Sequence, residues 1–589
     1  MGKLLKKTET KSSSASSSDK RERRVLKLYE QLVEIEERLI PTGLHVFGRV
    51  AGERSQADML RMVASFDREE KGARALTDLV SEGFGLGDYQ SLLAASFNNG
   101  EALKSRERVE SIVRKSISLF LESGIDAAIA YLEDSAHVRA QDSRLMFALL
   151  ENISQQLKTN GELEALARAL RGEYIEPGPG ADIVQNPDIL PTGRNTHAVN
   201  PYMIPSEIAF TRAEHVVKHL LERHLAEKGS YPRAMALVLW GLDNIKTQGE
   251  GVAQALWLLG VRPVRDQLNR ATEVEPIPLE ILKRPRIDVV MTLSGIFRDL
   301  FGATMNLLDK AVRLVASLDE PPEMNFLRKN VLRQVEEENF SFDEAALRLF
   351  SNAPGNYGTN VNFMVMDSQW DSGETLGDLF VTRKCFAYGR DPSGRMIEGR
   401  EARSAMERAL SRVEAAHQNI DSFEIGITDV DHYFEYLGGV AKAVEKRANS
   451  KPAIYLSDSL SRETKVRSLE ETVRLETRTK TLNPKWYEGM LAHGFRGVAE
   501  IESHVTNTFG WSATTDAVDD WVYTEVAETF LLDEKMLERL SNLNPHSVHS
   551  LVSRLLEAEG RGFWKADTHM LERLGEIFSS LEDQLEGII

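Results

Sequence analysis

Two short and almost wholly apolar runs, each ending at a glycine, constrain the fold of this 589-residue chain most strongly. They are RAMALVLWG (233–241) and RIDVVMTLSG (286–295). Apolar runs of this length are typical of parallel strands that are buried on both faces. The helical pattern GEGVAQALWLLG (249–260) lies between them. We therefore predict a βαβ-type layer whose ligands bind beyond the carboxyl ends of the strands.

Helical patterns flank this layer. Apolar residues recur at three- and four-residue spacing in VLKLYEQLVEIEERLI (25–40), and similar patterns follow. We predict a helix-rich mixed α/β fold with a helical N-terminal block, the central layer with long binding loops, and a helical C-terminal region. Further helices are expected near 76–82, 109–122, 145–170, 206–228, 296–317, 324–350 and 396–419, and a third strand at 452–458.

The predicted organisation has five parts, separated by changes of composition. They are a disordered basic, serine-rich tail (1–24), a helical domain (25–172), a proline- and glycine-rich linker (173–205), an α/β core (206–460) and a mainly helical region (461–589).

Composition excludes several classes of protein. There are 72 Lys and Arg residues against 90 Asp and Glu, a net charge of −18, whereas a nucleic-acid binder needs a basic face. The single cysteine, Cys385, excludes internal disulfides and fits a reducing compartment. We expect a cytoplasmic protein, or one of the plastid stroma if the source is an alga or a plant. We expect no membrane span, because no run of 18 apolar residues occurs. The phosphate-loop pattern G-x-x-x-x-G-K-[ST] is missing, so ATP hydrolysis by that mechanism is not expected.

Residues 351–390 form a long segment rich in glycine, asparagine and aromatic residues. An ordinary connection has about 4–6 residues, so a longer irregular segment is either functional or disordered. This segment is too aromatic for disorder. We predict that it is one wall of a binding site, with Arg383 and Lys384 as its cations.

Polar residues also cluster on other predicted turns. His432 lies between Asp431 and Tyr433, two residues from a second acid, Asp429. Neighbouring acids raise the pKa of a histidine and orient it as a base or a metal ligand. His504 and Glu502 offer a similar pairing. The tryptophans near these turns fit either a core position or a ligand platform.

Several long motifs resemble the porphyrin-binding large subunits of the magnesium chelatase and cobaltochelatase family. Examples are LPTGRNTHAVNPYMIP, VLWGLDNIKTQGEGVAQALWLLGVRP, FSNAPGNYGTNVNF, GITDVDHYFEYLGG and HVTNTFGWSATT. The pattern Asn352, Asn360, Asn362 and the motif LGDLFVTRK resemble the magnesium branch. The resemblance covers only the C-terminal half of that subunit. A split enzyme with a separate N-terminal-half chain, a short paralogue and a truncated gene model all fit this difference.

The resemblance implies insertion of Mg²⁺ into protoporphyrin IX in chlorophyll or bacteriochlorophyll biosynthesis, with ATP hydrolysed by separate AAA+ motor subunits. Mg²⁺ is then the substrate metal, and no tightly bound cofactor is expected. Two alternatives remain open. One is a cobaltochelatase large subunit that acts on a corrin-type ring, and the other is a non-catalytic tetrapyrrole-binding scaffold.

Candidate roles follow from this chemistry. Magnesium prefers oxygen ligands, which makes Asp429, Asp431 and Glu424 the candidate metal ligands. Pyrrole protons must leave as the metal enters, which requires a base whose pKa lies near neutrality. The candidate catalytic residues are His432, Asp429, Asp431, His504 and Glu502. Propionates suit Arg and Lys, and the macrocycle suits aromatic faces. The candidate substrate-binding residues are Arg298, Asn352, Tyr357, Asn360, Arg383, Lys384, Trp486, Asn507 and Trp511.

Overall fold

The computed structural model describes residues 43–50, 52–68, 71–96, 99–180, 183–184, 186–196, 200–391, 395–422, 424–458 and 465–587. The predicted tail (1–24) and the helical pattern at 25–40 lie outside the described residues. The chain divides into two compact units, one built mainly from Phe47–Leu166 and the other mainly from Arg194–Ile589.

The first unit is helical. Its helices are Glu53–Ala64, Leu76–Gly83, Tyr89–Ser96, Gly100–Ser123, Ile125–Ala136 and Ala140–Leu157. A further helix, Glu162–Leu170, begins in this unit and ends beyond it. The helix Gly100–Ser123 begins where the Asn99 side chain accepts a hydrogen bond from the Glu101 amide, and it buries a stripe that includes Val109, Val113 and Phe120. The helices predicted near 76–82, 109–122 and 145–170 are confirmed, the last as two helices.

The second unit is built on an eight-stranded mixed sheet. The strands of this sheet are β3 (Ala234–Leu239), β6 (Asp288–Leu293), β7 (Leu349–Ser351), β8 (Phe386–Arg390), β9 (Met396–Glu401), β10 (Ala415–Ile420), β11 (Ala453–Asp458) and β12 (Lys465–Ser468). Their order in the sheet is β12-β11-β10-β3-β6-β7-β8-β9. The five strands from β11 to β7 are parallel, and the outer strands are antiparallel. Two small pairs complete the strands: β1 (Pro177–Gly178) with β2 (Asn195–Thr196), and β4 (Val261–Arg265) with β5 (Ala271–Pro276).

Every residue of β3, β6 and β10 is buried. This confirms the predicted buried strands at 233–241 and 286–295, and β11 confirms the strand predicted at 452–458. Helices cover both faces of the sheet, so the predicted helix-rich mixed α/β class is correct. The α-helices that accompany the sheet are Glu207–Lys228, Gly241–Lys246, Glu250–Leu259, Leu279–Leu282, Gly295–Leu300, Gly302–Ser317, Phe326–Glu338, Phe342–Ala345, Val361–Met366, Gly373–Lys384, Arg403–Leu410, Asp431–Tyr433 and Gly439–Ala448.

The C-terminal region is helical, as predicted. Its helices are Leu469–Glu476, Pro484–Leu491, Phe495–Thr515, Asp520–Phe530, Glu534–Leu543, Pro545–Gly560 and Thr568–Leu585. Two π-helical turns, Phe434–Gly438 and Thr477–Thr481, interrupt the α-helical runs. None of the described helices combines the length and the apolar character that a membrane span requires.

Two sequence predictions were wrong. The helix predicted at 396–419 is strand β9, the short helix Arg403–Leu410 and strand β10. The sequence of β10, AAHQNI, has a weak strand propensity, but pairing with β3 on one side and β11 on the other stabilises it. The helix predicted at 324–350 ends at Glu338, and its last residues form β7.

The segment 351–390 is also less irregular than predicted. It contains the helices Val361–Met366 and Gly373–Lys384 and ends in β8. Leu376, Phe380 and Val381 give the second helix a buried apolar face, which the glycine content of the segment obscured. The irregular parts are 352–360, which directly follows β7, and 367–372.

The carboxyl ends of four neighbouring parallel strands place polar residues along one edge of the sheet. Trp240 follows β3, Ser294 follows β6, Asn352 follows β7 and Asp421 follows β10. The Ser294 hydroxyl accepts hydrogen bonds from the amides of Gly241 (3.1 Å) and Phe297 (3.1 Å) and so ties two of these connections together. Ligands of open α/β sheets bind along such an edge.

Candidate functional site

The centre of the candidate site is the segment 426–439, which joins a turn to the helical run that begins at Asp431. Its π-helical turn, Phe434–Gly438, directly follows His432 and Tyr433. π-helical turns are frequent at functional sites because they change the direction in which side chains project.

His432 is held by a buried carboxylate. Its Nδ1 lies 2.8 Å from Glu435 Oε2, and the Glu435 side chain is 1% exposed whereas that of His432 is 60% exposed. The hydrogen bond to Glu435 raises the pKa of His432 against the effect of burial, and the charge of Asp431 adds to it. The ring is therefore oriented from one side and open to solvent on the other.

Glu435 is fixed by the segment that follows β7. Its Oε1 accepts hydrogen bonds from the amides of Thr359 and Asn360 and, at 3.0 Å, from the Thr359 hydroxyl. Burial works to raise the pKa of Glu435, but the hydrogen bonds from His432 and Thr359 outweigh burial and lower it. Asn360 adopts a left-handed conformation with φ of 63°, which asparagine tolerates better than most residues. Glu435 therefore remains a carboxylate at neutral pH.

Asp431 is oriented by the same segment. Its Oδ2 accepts a hydrogen bond from Asn362 Nδ2 at 2.6 Å, and its Oδ1 lies 3.7 Å from His432 Nδ1. The Asp431 carboxylate therefore lies close to the His432 ring, as predicted. Residues 359–362 supply the hydrogen-bond donors that hold both Asp431 and Glu435.

Asp429 belongs to a separate, buried charge network. Its Oδ2 accepts hydrogen bonds from Lys480 Nζ and the Gly426 amide, and its Oδ1 lies 3.1 Å from His504 Nε2. Although burial opposes ionisation, the charges of Lys480 and His504 hold the pKa of Asp429 well below its usual range. Asp429 is thus ionised at neutral pH, next to a lysine and a histidine.

His504 is a core residue of this network. Its Nδ1 lies 3.3 Å from the Thr428 hydroxyl, and its ring packs on Trp486 with 4.4 Å between centroids. The predicted pairing with Glu502 is absent, because Glu502 Oε1 accepts from Thr506 (2.7 Å) and Ser550 (2.8 Å) instead. Positions 502 and 504 project from different faces of one helix, whereas Asp429 reaches His504 from another segment.

Other predicted substrate-binding residues support the turn from within the core. Asn507 Nδ2 donates to the Thr428 carbonyl (2.8 Å), and Trp511 Nε1 donates to the Ile427 carbonyl (2.9 Å). Trp486 and Trp511 are 1% and 0% exposed. Neither ring presents a face to a ligand in this structure.

Lys384 is fully buried and anchors the start of the irregular segment. Its Nζ donates to the Asn352 side-chain oxygen (2.7 Å) and the Leu293 carbonyl (3.0 Å), and it lies 3.9 Å from the centroid of the Tyr436 ring. Burial lowers the pKa of Lys384 well below its usual value. Asn352 in turn donates to the Gly358 carbonyl. Lys384 thus links β6, the segment after β7 and the π-helical turn.

Arg298 and Tyr357 lie at the outer part of the same segment. Arg298 Nη1 donates to the carbonyls of Ala353 (3.0 Å) and Asn356 (2.9 Å), and its guanidinium lies 5.1 Å from the centroid of the Tyr357 ring. The Tyr357 hydroxyl donates to Asp299, and this tyrosine is exposed. Arg383 is half-buried and has no ion-pair partner among the described residues. Tyr357 is therefore exposed to solvent, whereas Arg383 is only partly exposed.

Several residues that sequence reasoning missed complete these networks. Glu435, three residues after His432 on a helical turn, was recognisable from i, i+3 spacing. Lys480 and Glu476 were not, because they reach the turn from a distant segment. Glu476 accepts hydrogen bonds from the Ile427 amide (3.0 Å) and the Thr428 amide (2.9 Å).

A buried acidic group was also missed. Asp243 and Glu250 follow β3, Asp421 follows β10, and Lys246 Nζ lies 2.9 Å from Asp421 Oδ2. Burial, together with the charges of Asp421 and Glu250, raises the pKa of Asp243 well above its usual value. The available signal was the motif WGLDNIKTQGEG (240–251), which carries both Asp243 and Glu250.

The three predicted metal ligands do not converge. Asp429 faces Lys480, Asp431 faces Asn362, and the main-chain oxygen of Glu424 accepts from Lys480 at 2.7 Å. Within the described ranges, no group of three or more His, Cys, Asp or Glu side chains is placed to hold a metal ion directly. The metal assignment to Asp429, Asp431 and Glu424 stays a prediction.

A family model described as CobN/Magnesium Chelatase matches residues 2–571. The chain belongs to this family. The CobN/Magnesium Chelatase match covers both compact units and includes all the residues of the site described above.

Relatives from both branches of the family are similar to this chain. The magnesium-chelatase subunit ChlH, chloroplastic, of Oryza sativa subsp. indica is 43% identical over 95% of this chain and 42% of its own length. A magnesium-chelatase subunit of Chlorobaculum parvum is 39% identical over 96% of this chain and 45% of its own length. The solved catalytic subunit of cobaltochelatase from Mycobacterium tuberculosis is 30% identical, with a TM-score of 0.87 over 97% of this chain and 47% of that one. The chain thus spans less than half the length of these relatives.

Proposed function

We propose that this chain is the substrate-facing part of a magnesium chelatase large subunit, which inserts Mg²⁺ into protoporphyrin IX while separate AAA+ subunits hydrolyse ATP. The observation that carries the proposal is the His432–Glu435 pair. An exposed imidazole whose Nδ1 is bound to a buried carboxylate can accept a proton at Nε2. Insertion of a divalent metal requires the removal of two pyrrole protons, and such a group provides an acceptor.

The proposed roles divide between solvent-facing and buried residues. His432 is the base, Glu435 fixes its tautomer, and Asp431 adds negative charge beside the imidazole. Tyr357 and Arg383 contact the porphyrin, Tyr357 through its ring and Arg383 through a propionate. Asn352, Lys384 and Asn360 position the segment that carries Tyr357, and Asp429, His504 and Lys480 fix the turn before His432.

The magnesium assignment is supported by the greater identity to magnesium-chelatase subunits, 43% and 39%, than to the cobaltochelatase subunit, 30%. A cobaltochelatase activity on a corrin-type ring is the second candidate, and the TM-score of 0.87 supports it. A non-catalytic tetrapyrrole-binding scaffold is a third outcome of the tests.

Two experiments test the proposal in sequence. Titration of the full chain with protoporphyrin IX, followed by quenching of porphyrin fluorescence, measures binding. Addition of the motor subunits, ATP, an N-terminal-half chain and either Mg²⁺ or Co²⁺ then measures insertion. Formation of magnesium porphyrin supports the leading proposal, and the absence of protoporphyrin binding overturns it. The same titration and insertion assay with a corrin-type ring tests the second candidate, which insertion of Co²⁺ into that ring would support. Binding of a tetrapyrrole without insertion of either metal leaves the scaffold, and the absence of binding to both rings overturns all three.

A further inference from the structure

Two carboxylates of the candidate site are held by donors at the start of one short helix, Val361–Met366, which is only six residues long. The Asn360 amide, directly before this helix, donates to Glu435 Oε1 (2.9 Å). The Asn362 side chain, in its first turn, donates to Asp431 Oδ2 (2.6 Å). Helices shorter than about 12 residues are marginal without tertiary contacts. The placement of both carboxylates therefore depends on what fixes this helix.

The other end of this short helix is bound by Arg554. Arg554 lies on the helix Pro545–Gly560, and its guanidinium donates to the carbonyls of Val365 (3.4 Å) and Met366. The last carbonyls of a helix have no partner within the helix, and a cation beside them is favourable. The Arg554 side chain is only 13% exposed, so solvent screens these contacts weakly. Arg554 therefore fixes the C-terminal end of the short helix.

Glu557 orients Arg554 and joins it to the loop that follows the short helix. Its Oε2 accepts hydrogen bonds from Arg554 Nη1 (2.6 Å) and the Ser368 hydroxyl (2.8 Å), and its Oε1 accepts one from Arg561 Nε (2.7 Å). Arg561 in turn donates to the Trp370 carbonyl (2.9 Å), and its guanidinium lies 3.8 Å from the centroid of the Trp370 ring. Arginine suits such contacts because its guanidinium presents several donors in one rigid plane. One charged group of the C-terminal region thus holds both the helix end and the loop.

The two ends of the short helix are close enough to move together. A rise of 1.5 Å per residue separates Asn362 from Met366 by about 6 Å along the axis. A shift of the C-terminal end therefore displaces the donors that contact Asp431 and Glu435. Both carboxylates lie beside the imidazole of His432. A misplacement of about 1 Å that is caused from a distance can cost about a hundredfold in rate.

We propose that Arg554 and Glu557 are positioning residues of the candidate site. They hold the short helix whose first residues fix Asp431 and Glu435 beside His432. The C-terminal helix Pro545–Gly560 is thereby coupled to the proposed base without contributing a group to the reaction. The effect on chelation rests on the proposed function, whereas the effect on the short helix does not.

Hydrogen–deuterium exchange of the full chain, without porphyrin or partners, tests the effect on the short helix. The amides of Thr359 and Asn360 are hydrogen-bonded to Glu435, so their exchange reports the placement of this segment. In Arg554→Met the exchange of residues 357–362 should rise at least about tenfold more than that of the buried strand β6. An equal rise in both would mean that Arg554 only stabilises the fold, and it would overturn the inference.

Two further variants extend the comparison. Arg554→Lys keeps the charge but not the planar set of donors, so its exchange at 357–362 should lie between that of wild type and that of Arg554→Met. The control, Arg573→Met, removes an exposed arginine that is paired with Glu576 on the helix Thr568–Leu585. This control should leave the exchange of 357–362 unchanged.

The insertion assay with the assembled complex tests the effect on the site. Arg554→Met should lower the insertion rate at saturating porphyrin at least about tenfold and leave porphyrin affinity within a few-fold of wild type, because Arg554 acts on the carboxylates. The double variant Arg554→Met/Asn362→Ala should lose clearly less than the product of the two single losses, since both changes act through one helix. Losses that multiply would overturn the inference.

The two measurements separate this inference from the proposed function. Faster exchange at 357–362 in Arg554→Met, with no chelation by wild type, would contradict only the proposed function. Chelation by wild type, with the exchange and the insertion rate of Arg554→Met unchanged, would contradict only this inference.

Discussion

His432 Nδ1 lies 2.8 Å from Glu435 Oε2, so an exposed imidazole is joined to a carboxylate that is itself sealed from solvent. Two backbone amides of the segment after β7 hold the other oxygen of the same carboxylate. The proposed base and the proposed porphyrin wall therefore share one buried anchor. A change in either element is transmitted to the other through Glu435.

Glu435→Gln is expected to move the acid limb of the pH–rate profile of chelation to lower pH. A base acts in its neutral form, so the rate rises as pH increases through the pKa of His432, which Glu435 raises. Without the carboxylate this pKa falls. Glu445→Gln, which alters an acid paired with Lys442 farther along the same helical run, is the control and should not shift the profile. An unshifted limb in Glu435→Gln would show that another group is the base.

Lys480→Met is expected to destabilise the protein by about 3–5 kcal/mol, because it leaves the buried Asp429 carboxylate without its lysine. Urea unfolding measures the difference. The double variant Asp429→Asn/Lys480→Met should lose less than the sum of the single changes. The control, Arg270→Met, removes one partner of the exposed Arg270–Asp266 pair and should lower the free energy of unfolding by no more than about 1 kcal/mol.

The stabilisation of the fold by the Asp429–Lys480 pair should depend on pH. The folded-state pKa of Asp429 is depressed, so its stabilising contribution is present above the ordinary aspartate pKa and is lost as pH falls through the depressed value. The stability difference between wild type and Lys480→Met should therefore shrink in acid. A difference that is independent of pH would mean that Lys480 acts through packing.

Arg383→Ala should weaken the binding of porphyrins that carry propionates more than the binding of porphyrins without them. Arg383 is half-buried and has no carboxylate partner among the described residues, which leaves it available for a ligand carboxylate. Fluorescence titration with both porphyrins measures the effect. Arg403→Ala is a matched control, since Arg403 lies nearby but bonds to Glu407 and Thr382. Equal weakening for both porphyrins would refute recognition of propionates by Arg383.

Gly295→Ala should reduce porphyrin affinity as much as Tyr357→Ala does. A Cβ at position 295 would lie 2.1 Å from Tyr357 Cδ1, so the ring must leave its place and lose its bond to Asp299. The control is Gly302→Ala, where an added Cβ meets open space. Unchanged affinity in Gly295→Ala would show that Tyr357 is not a porphyrin platform.

Elements whose burial follows from their own residues could be predicted from the sequence. Strands β3 and β6 are continuous apolar runs, and the turn before His432 carries its acids within a few residues. Strand β10 was missed because its stability comes from two neighbouring strands rather than from its own residues.

Partners distant in sequence could not be predicted. Lys480 and His504 contact Asp429 only because three distant segments pack together. Residue type also does not reveal that Trp511 and Lys384 are fully buried whereas Tyr357 is exposed. Chemistry identified candidate residues, but tertiary packing decides which of them support the site and which face a ligand.

The rate of magnesium porphyrin formation by the assembled complex, compared between wild type and His432→Gln at saturating porphyrin, tests the central claim most directly. Loss of a positioned general base typically costs a factor of about 10²–10⁴ in rate. We expect a loss of at least about a hundredfold, with porphyrin affinity within a few-fold of wild type. A near wild-type rate, or a loss of affinity that accounts for the whole effect, would contradict the assignment of His432 as the base.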